Sequence, residues 1–126
     1  MRRRSSLFSD RRGATAVEFA LILPPFLLLL FGVVEFGRAL WTQSALHFAV
    51  EEAARCATVD ATNCATATQV KTFAVSRAAG VGLTNAVFTL TTPACGNQVS
   101  ASYPFPFVLA NMFPNVTLTA QSCFPK

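Results

Sequence analysis

The sequence predicts an α+β protein built on a single N-terminal membrane helix that is extended into an amphipathic stalk. A small disulfide-linked domain follows, with one short helix and about three antiparallel strands. Three observations predict this: one long apolar run near the start, a change of apolar period from helical to two after Gly80, and four cysteines that all fall beyond the apolar run. The boundaries read from the pattern are a basic leader over 1–13, a membrane helix over 14–34, a stalk over 35–57 and an outer domain over 58–126.

The apolar run Ala14–Val34 has 21 residues and one formal charge, Glu18. As a helix it would span about 32 Å, close to the hydrocarbon thickness of a bilayer. Charge sets its orientation. Arg2, Arg3, Arg4, Arg11 and Arg12 stand against Asp10 before Gly13, which places the whole formal charge of +4 in the leader and leaves the remainder neutral. The positive-inside rule puts the leader in the cytoplasm and the C-terminal part outside it. Arginines beside a hydrophobic run lack the spread over a folded face that a nucleic-acid surface needs, so nucleic acid is not expected as a partner. A cleaved secretory signal is disfavoured by the length of the run and by the helical pattern that continues after Val34. Pro24 and Pro25 each remove a backbone donor and predict a bend about a third of the way in.

Glu18 is the most informative residue. A carboxylate in a membrane helix costs about 2.5 to 3.5 kcal/mol at the bilayer centre and less near its edge, so it normally has a partner or a function. One reading is a glutamate that snorkels to the headgroups near Arg11 and Arg12. The other comes from its neighbours, Arg11-Arg12-Gly13-Ala14-Thr15-Ala16-Val17-Glu18-Phe19. This order resembles the type IV prepilin-like signal, in which a membrane peptidase cuts after the glycine on the cytoplasmic side. The resemblance implies a scissile bond at Gly13-Ala14 and makes Glu18 the fifth residue of the product. Cleavage would create an amine at Ala14 that a neighbouring subunit's Glu18 could neutralise in an apolar interior. Ala14 stands where many type IV pilins have phenylalanine.

The likeness extends to about 45 residues. The basic pair and Gly13, the Val17-Glu18-Phe19-Ala20 step, the prolines, Glu35-Phe36-Gly37-Arg38 and the alanine-rich segment ending Glu52-Ala53-Ala54-Arg55 together resemble the TadE-like family of tight-adherence pilus assembly proteins. It implies a minor pilin or pseudopilin, single-pass in a bacterial inner membrane with its outer domain periplasmic, or incorporated in a pilus. The implied partners are the prepilin peptidase, other pilins and the inner-membrane platform of the pilus.

The stalk carries Leu46, Ala49, Val50, Ala53 and Ala57 on one stripe, with Gln43, Glu51, Glu52 and Arg55 elsewhere and Glu51 and Arg55 spaced as an i,i+4 pair. The stripe suits the protein's own small core or a neighbouring subunit. Thr66 to Gln69 has capping-box spacing, and Val70, Phe73, Ala74 and Ala78 mark one face of a short helix that Gly80 stops. Period-two patterns then read as strands: Ala86, Phe88 and Leu90; Val99, Ala101 and Tyr103; Val116, Leu118 and Ala120. Between the last two, aromatics crowd among prolines from Tyr103 to Pro114. Phe105, Phe107 and Phe113 there either close the open side of the core or form a partner-binding or membrane-lying patch. Asn115-Val116-Thr117 matches a glycosylation sequon but reads as a turn into a strand.

Cys56, Cys64, Cys95 and Cys123 are expected in an oxidising compartment as two disulfides. Three pairings are open, with Cys56–Cys64 and Cys95–Cys123 favoured. Zinc is disfavoured by the absence of paired C-x-x-C units and by a single histidine, and a redox-active dithiol by the same spacing. His47, with Glu51 one turn on, reads as a surface or interface residue. No nucleophile elbow or phosphate-binding glycine loop is present, and no pair of carboxylates falls in the outer domain's expected loops, so neither an enzyme nor a cofactor, metal or small-molecule substrate is expected. The rival to a pilus role is a permanently anchored envelope module that binds a ligand through its strands and Phe-Pro loop; a third is an envelope thiol oxidoreductase.

Overall fold

The computed structural model describes residues 13–108 and 114–126. The leader arginines, Asp10, Leu109, Met112 and Phe113 lie outside the described residues. The chain divides into two units, Met1–Phe36 and Gly37–Lys126.

Helix α1 runs over Ala14–Val59, 46 residues, and continues unbroken through Pro24 and Pro25. Its part in the first unit is the membrane-length segment: none of its most apolar 18-residue window is buried, and Val17, Phe19, Leu21, Ile22 and Leu29 are exposed. An exposed helix of this composition requires a bilayer or other helices around it.

In the second unit, the alanine-rich stripe of α1 enters the core. Leu46, Ala49, Val50, Ala53 and Ala54 are fully buried and Ala57 is partly buried. Three alanines on one face let the helix approach its neighbours closely, while Leu46 and Val50 supply the volume. Thr66 caps α2, Ala67–Arg77, through a complete capping box, accepting from the Gln69 backbone while Gln69 Oε1 accepts from the Thr66 backbone at 3.0 Å. Val70 and Ala74 are its buried face, and the chain leaves it through Gly80 at φ +90°, a conformation that carries little cost only for glycine.

Three antiparallel strands form one sheet in the order β1-β2-β3, with β1 at Phe88–Thr91, β2 at Asn97–Phe105 and β3 at Val116–Phe124. Its register aligns Phe88 with Ala101, and Ala101 with Ala120, so one ring fills the core beside two small residues. The opposite face carries Thr89, Ser100, Ser102, Thr119 and Gln121, the alternation a half-buried sheet needs.

Two expectations change. Ala86 does not begin the first strand; Asn85–Val87 is a 3-10 turn closed by Val87 N–H to Thr84 O at 3.1 Å, and Ala86 is exposed. The strand expected to end at Tyr103 continues through Pro104 and Phe105, with Pro104 opposite Thr117. β1 pairs with β2 only from Gln98 to Ala101, so among the described residues Pro104 has no strand paired on that side and its missing N–H is tolerated.

Disulfides link Cys56 to Cys64 and Cys95 to Cys123, with Cα–Cα distances of 5.8 and 6.3 Å. The first ties the last turn of α1 to the loop before α2. The second joins the β1–β2 turn to the end of β3.

Candidate functional site

Gly13 is exposed and immediately precedes α1, whose first residue is Ala14. Gly13 is itself in a 3-10 turn, so the Gly13-Ala14 bond joins that turn to the α-helix. Glu18 follows Ala14 by four residues, which on an α-helix puts both on one face, about one turn apart. Glu18 is exposed, as are Val17, Phe19, Leu21 and Ile22 beside it. A free amine at Ala14 and the Glu18 carboxylate would thus be presented from one helix surface into whatever apolar medium surrounds it. In that medium an unpaired charge is costly, and an opposite charge supplied by a neighbouring helix offsets it.

The Phe-Pro segment divides in function. Phe105 is buried and closes the core, with Phe107 packed edge-on to it at 4.9 Å between ring centroids. The Arg38 guanidinium lies 4.8 Å over the Phe105 ring and donates to the Pro106 carbonyl oxygen. These residues line a groove of about 460 Å³ together with Trp41, Tyr103 and Val108. In the sequence Arg38 stands out only as part of the Glu35-Phe36-Gly37-Arg38 step. Its contact is 68 positions away, and no local pattern signals such a partner.

Gln43 Nε2 donates to His47 Nε2 at 2.9 Å and also to the Thr119 carbonyl oxygen at 2.8 Å. The shallow depression beside His47, about 560 Å³, is lined by Thr89, Ser100, Ser102, Thr119 and Gln121. It contains hydroxyl and amide groups, and the hydrogen bond drawn to the imidazole comes from Gln43 rather than from one of those hydroxyls. Among the described residues, no group of three or more His, Cys, Asp or Glu is placed to hold a metal ion. All four cysteines are disulfide-bonded.

One further polar cluster lies in the loop that Cys56–Cys64 closes. The Asp60 carboxylate accepts from the Asn63 side chain at 2.8 Å and from the backbone N–H groups of Asn63 and Thr62, each at 3.0 Å. These bonds hold its pKa below the ordinary carboxylate value, the Asn63 side chain contributing most. These three bonds lock the turn.

Residues 13–55 match the family model of TadE-like proteins, about a third of the chain. The match begins at the glycine of the proposed cleavage bond and ends within the alanine-rich part of α1. Neither characterised proteins nor solved structures give a significant match to the chain.

Proposed function

From the TadE-like match over residues 13–55, we propose that the chain is a minor pilin or pseudopilin of a tight-adherence pilus, matured between Gly13 and Ala14. Its part in assembly is structural rather than catalytic. The observation that carries this reading is the coincidence of that match with a 46-residue helix whose N-terminal half exposes apolar residues on every side and bears Glu18 one turn from Ala14.

The arginine leader holds the start of the chain in the cytoplasm, Ala14–Val34 crosses the inner membrane, and residues 35–126 lie in the periplasm, where oxidising conditions maintain two disulfides. The prepilin peptidase removes the leader. The exposed helix then exchanges lipid for neighbouring helices, of the major pilin or the membrane platform, and Glu18 sets register by pairing with an Ala14 amine.

The test is the N-terminal sequence and intact mass of the protein from membranes of cells with a matching prepilin peptidase. A start at Ala14 supports maturation of the pilin type. A start at Met1 favours a permanently anchored envelope module, and a start beyond Val34 overturns the membrane reading.

A further inference from the structure

We infer that Trp41 and the Pro106–Val108 segment form an interfacial foot, which rests in the headgroup layer of the bilayer at the C-terminal end of the Ala14–Val34 span. This rests on the membrane-spanning reading above. Its consequence is that the Trp41 ring and the Phe-Pro turn leave water for the lipid headgroups.

The first observation is exposure in the wrong solvent. Trp41, the chain's single tryptophan, is 72% exposed and Val108 is 72% exposed. They line the same groove, which Phe107 and Tyr103 share. From Tyr103 to Val108 the chain has no charged residue. Trp and Tyr rings with one polar atom are the side chains that favour the membrane–water boundary, where the ring leaves water and the N–H or O–H keeps a partner.

The second observation is the tether. Arg38 follows Val34 by four positions and Trp41 by seven. In the helix that continues past Val34, four residues rise about 6 Å and seven about 10 Å. The headgroup layer adds about 5 to 7 Å to each side of the hydrocarbon core. Helical side chains lean toward the N-terminus, so Arg38 and Trp41 both reach back toward the span. Arg38 then fixes the Phe-Pro turn at its own height, since it covers the Phe105 ring and donates to the Pro106 carbonyl. A lipid surface is the occupant argued here because the covalent span keeps it within reach at all times, whereas any other partner must first be recruited.

The experiment uses the full chain in phosphatidylcholine vesicles at low protein-to-lipid ratio, with Trp41 as the fluorophore. Three quenchers are compared: lipids brominated near the headgroup end of the acyl chain, lipids brominated near its tip, and aqueous iodide. The inference expects Trp41 emission to be lost most with the shallow bromines and least with iodide, and a W41F/V108W variant to behave the same way. A W41F/L28W variant reports the span itself. Quenching of L28W by deep bromines, with positions 41 and 108 quenched by iodide alone, overturns the foot and leaves the span intact. Absence of lipid quenching at L28W defeats the membrane reading. Shielding of 41 and 108 from every quencher means protein covers them, which also overturns the inference.

Discussion

The side-chain amide of Asn97 donates to the Ala57 carbonyl oxygen at 2.9 Å. A second contact reaches the Thr58 hydroxyl at 3.2 Å. The last carbonyls of a helix have no intrahelical donor, so the first residue of β2 caps the last turn of α1 and fastens sheet to helix. Asn97 is buried, so removing the amide leaves the Ala57 oxygen without this donor. Asn97→Ala should destabilise the domain by about 1 to 3 kcal/mol, read as a lower midpoint in thermal unfolding of the detergent-solubilised protein. Asn97→Asp should be worse than Asn97→Ala, because an acceptor would then face the carbonyl.

The cap and the Arg38 contact were the parts of this fold that the sequence did not disclose, and the reason is common to both. Each joins residues far apart in the chain, 40 positions for Asn97 and Ala57, while periodicity reports only on neighbours. What periodicity did disclose was local: the Leu46–Ala53 stripe, the Thr66 capping box and the alternation through Val99 and Ala101. The favoured cysteine pairing is the one found: Cys56–Cys64 ties the end of the stalk to the next turn and Cys95–Cys123 clips the strand-rich end. Ala86 misled because it stands two residues before the buried Phe88 and so fits the strand's period, whereas it is exposed in the 3-10 turn and the strand begins at Phe88. The Phe-Pro segment was legible as two alternatives, and the structure uses one for Phe105, which is buried, while Val108 is exposed.

Asp60 should make the stability of the domain pH-dependent in acid. Its folded pKa is lowered, chiefly by the Asn63 side chain, so the carboxylate form is favoured by folding. That contribution is fully present above the ordinary aspartate value of about 3.9 and is lost as pH falls through the lower folded value. Asp60→Asn removes the titration. Thermal midpoints of wild type and variant should therefore differ at pH 7 and converge below the ordinary aspartate pKa; a constant difference across that range would contradict the assignment.

Gly96 and Gly82 offer a matched pair. Both have positive φ, +127° and +70°, but a Cβ at Gly96 would collide with the Phe124 backbone carbonyl, whereas at Gly82 nothing lies within 4 Å. Gly82→Ala should cost about 1 to 2 kcal/mol, the left-handed penalty alone. Gly96→Ala should cost more, since the strand end that Cys95–Cys123 anchors must move. Equal losses in denaturant unfolding would show that the turn yields.

The two disulfides should differ in weight. They close separations of 8 and 28 residues, and loop-closure entropy gives about 2.5 kcal/mol for the shorter and about 3.6 kcal/mol for the longer at 25 °C. A Cys95→Ala/Cys123→Ala pair should thus destabilise more than Cys56→Ala/Cys64→Ala. The shorter bridge also holds the Asp60 turn, so its loss should additionally flatten the acid dependence described above. Paired unfolding curves at pH 7 and pH 3 separate the two effects.

Glu18 provides the prediction on which the pilus reading depends most. Its side chain is exposed on a helix face shared with Ala14 and is surrounded by apolar residues, so a role in register makes no demand on folding of Gly37–Lys126. Glu18→Gln keeps the volume and removes the charge. In cells with a complete tight-adherence system it should leave protein level, disulfides and cleavage at Gly13 unchanged, yet reduce pilus number or incorporation, because the Ala14 amine created by cleavage would enter an apolar interior without its counter-charge. Gly13→Val should give the opposite pattern: an intact Glu18, no maturation and a start at Met1. Mass spectrometry of the membrane-bound protein reads the first property and filament counting the second. A Glu18→Gln variant that matures normally and assembles at wild-type levels would assign Glu18 to headgroup snorkelling instead.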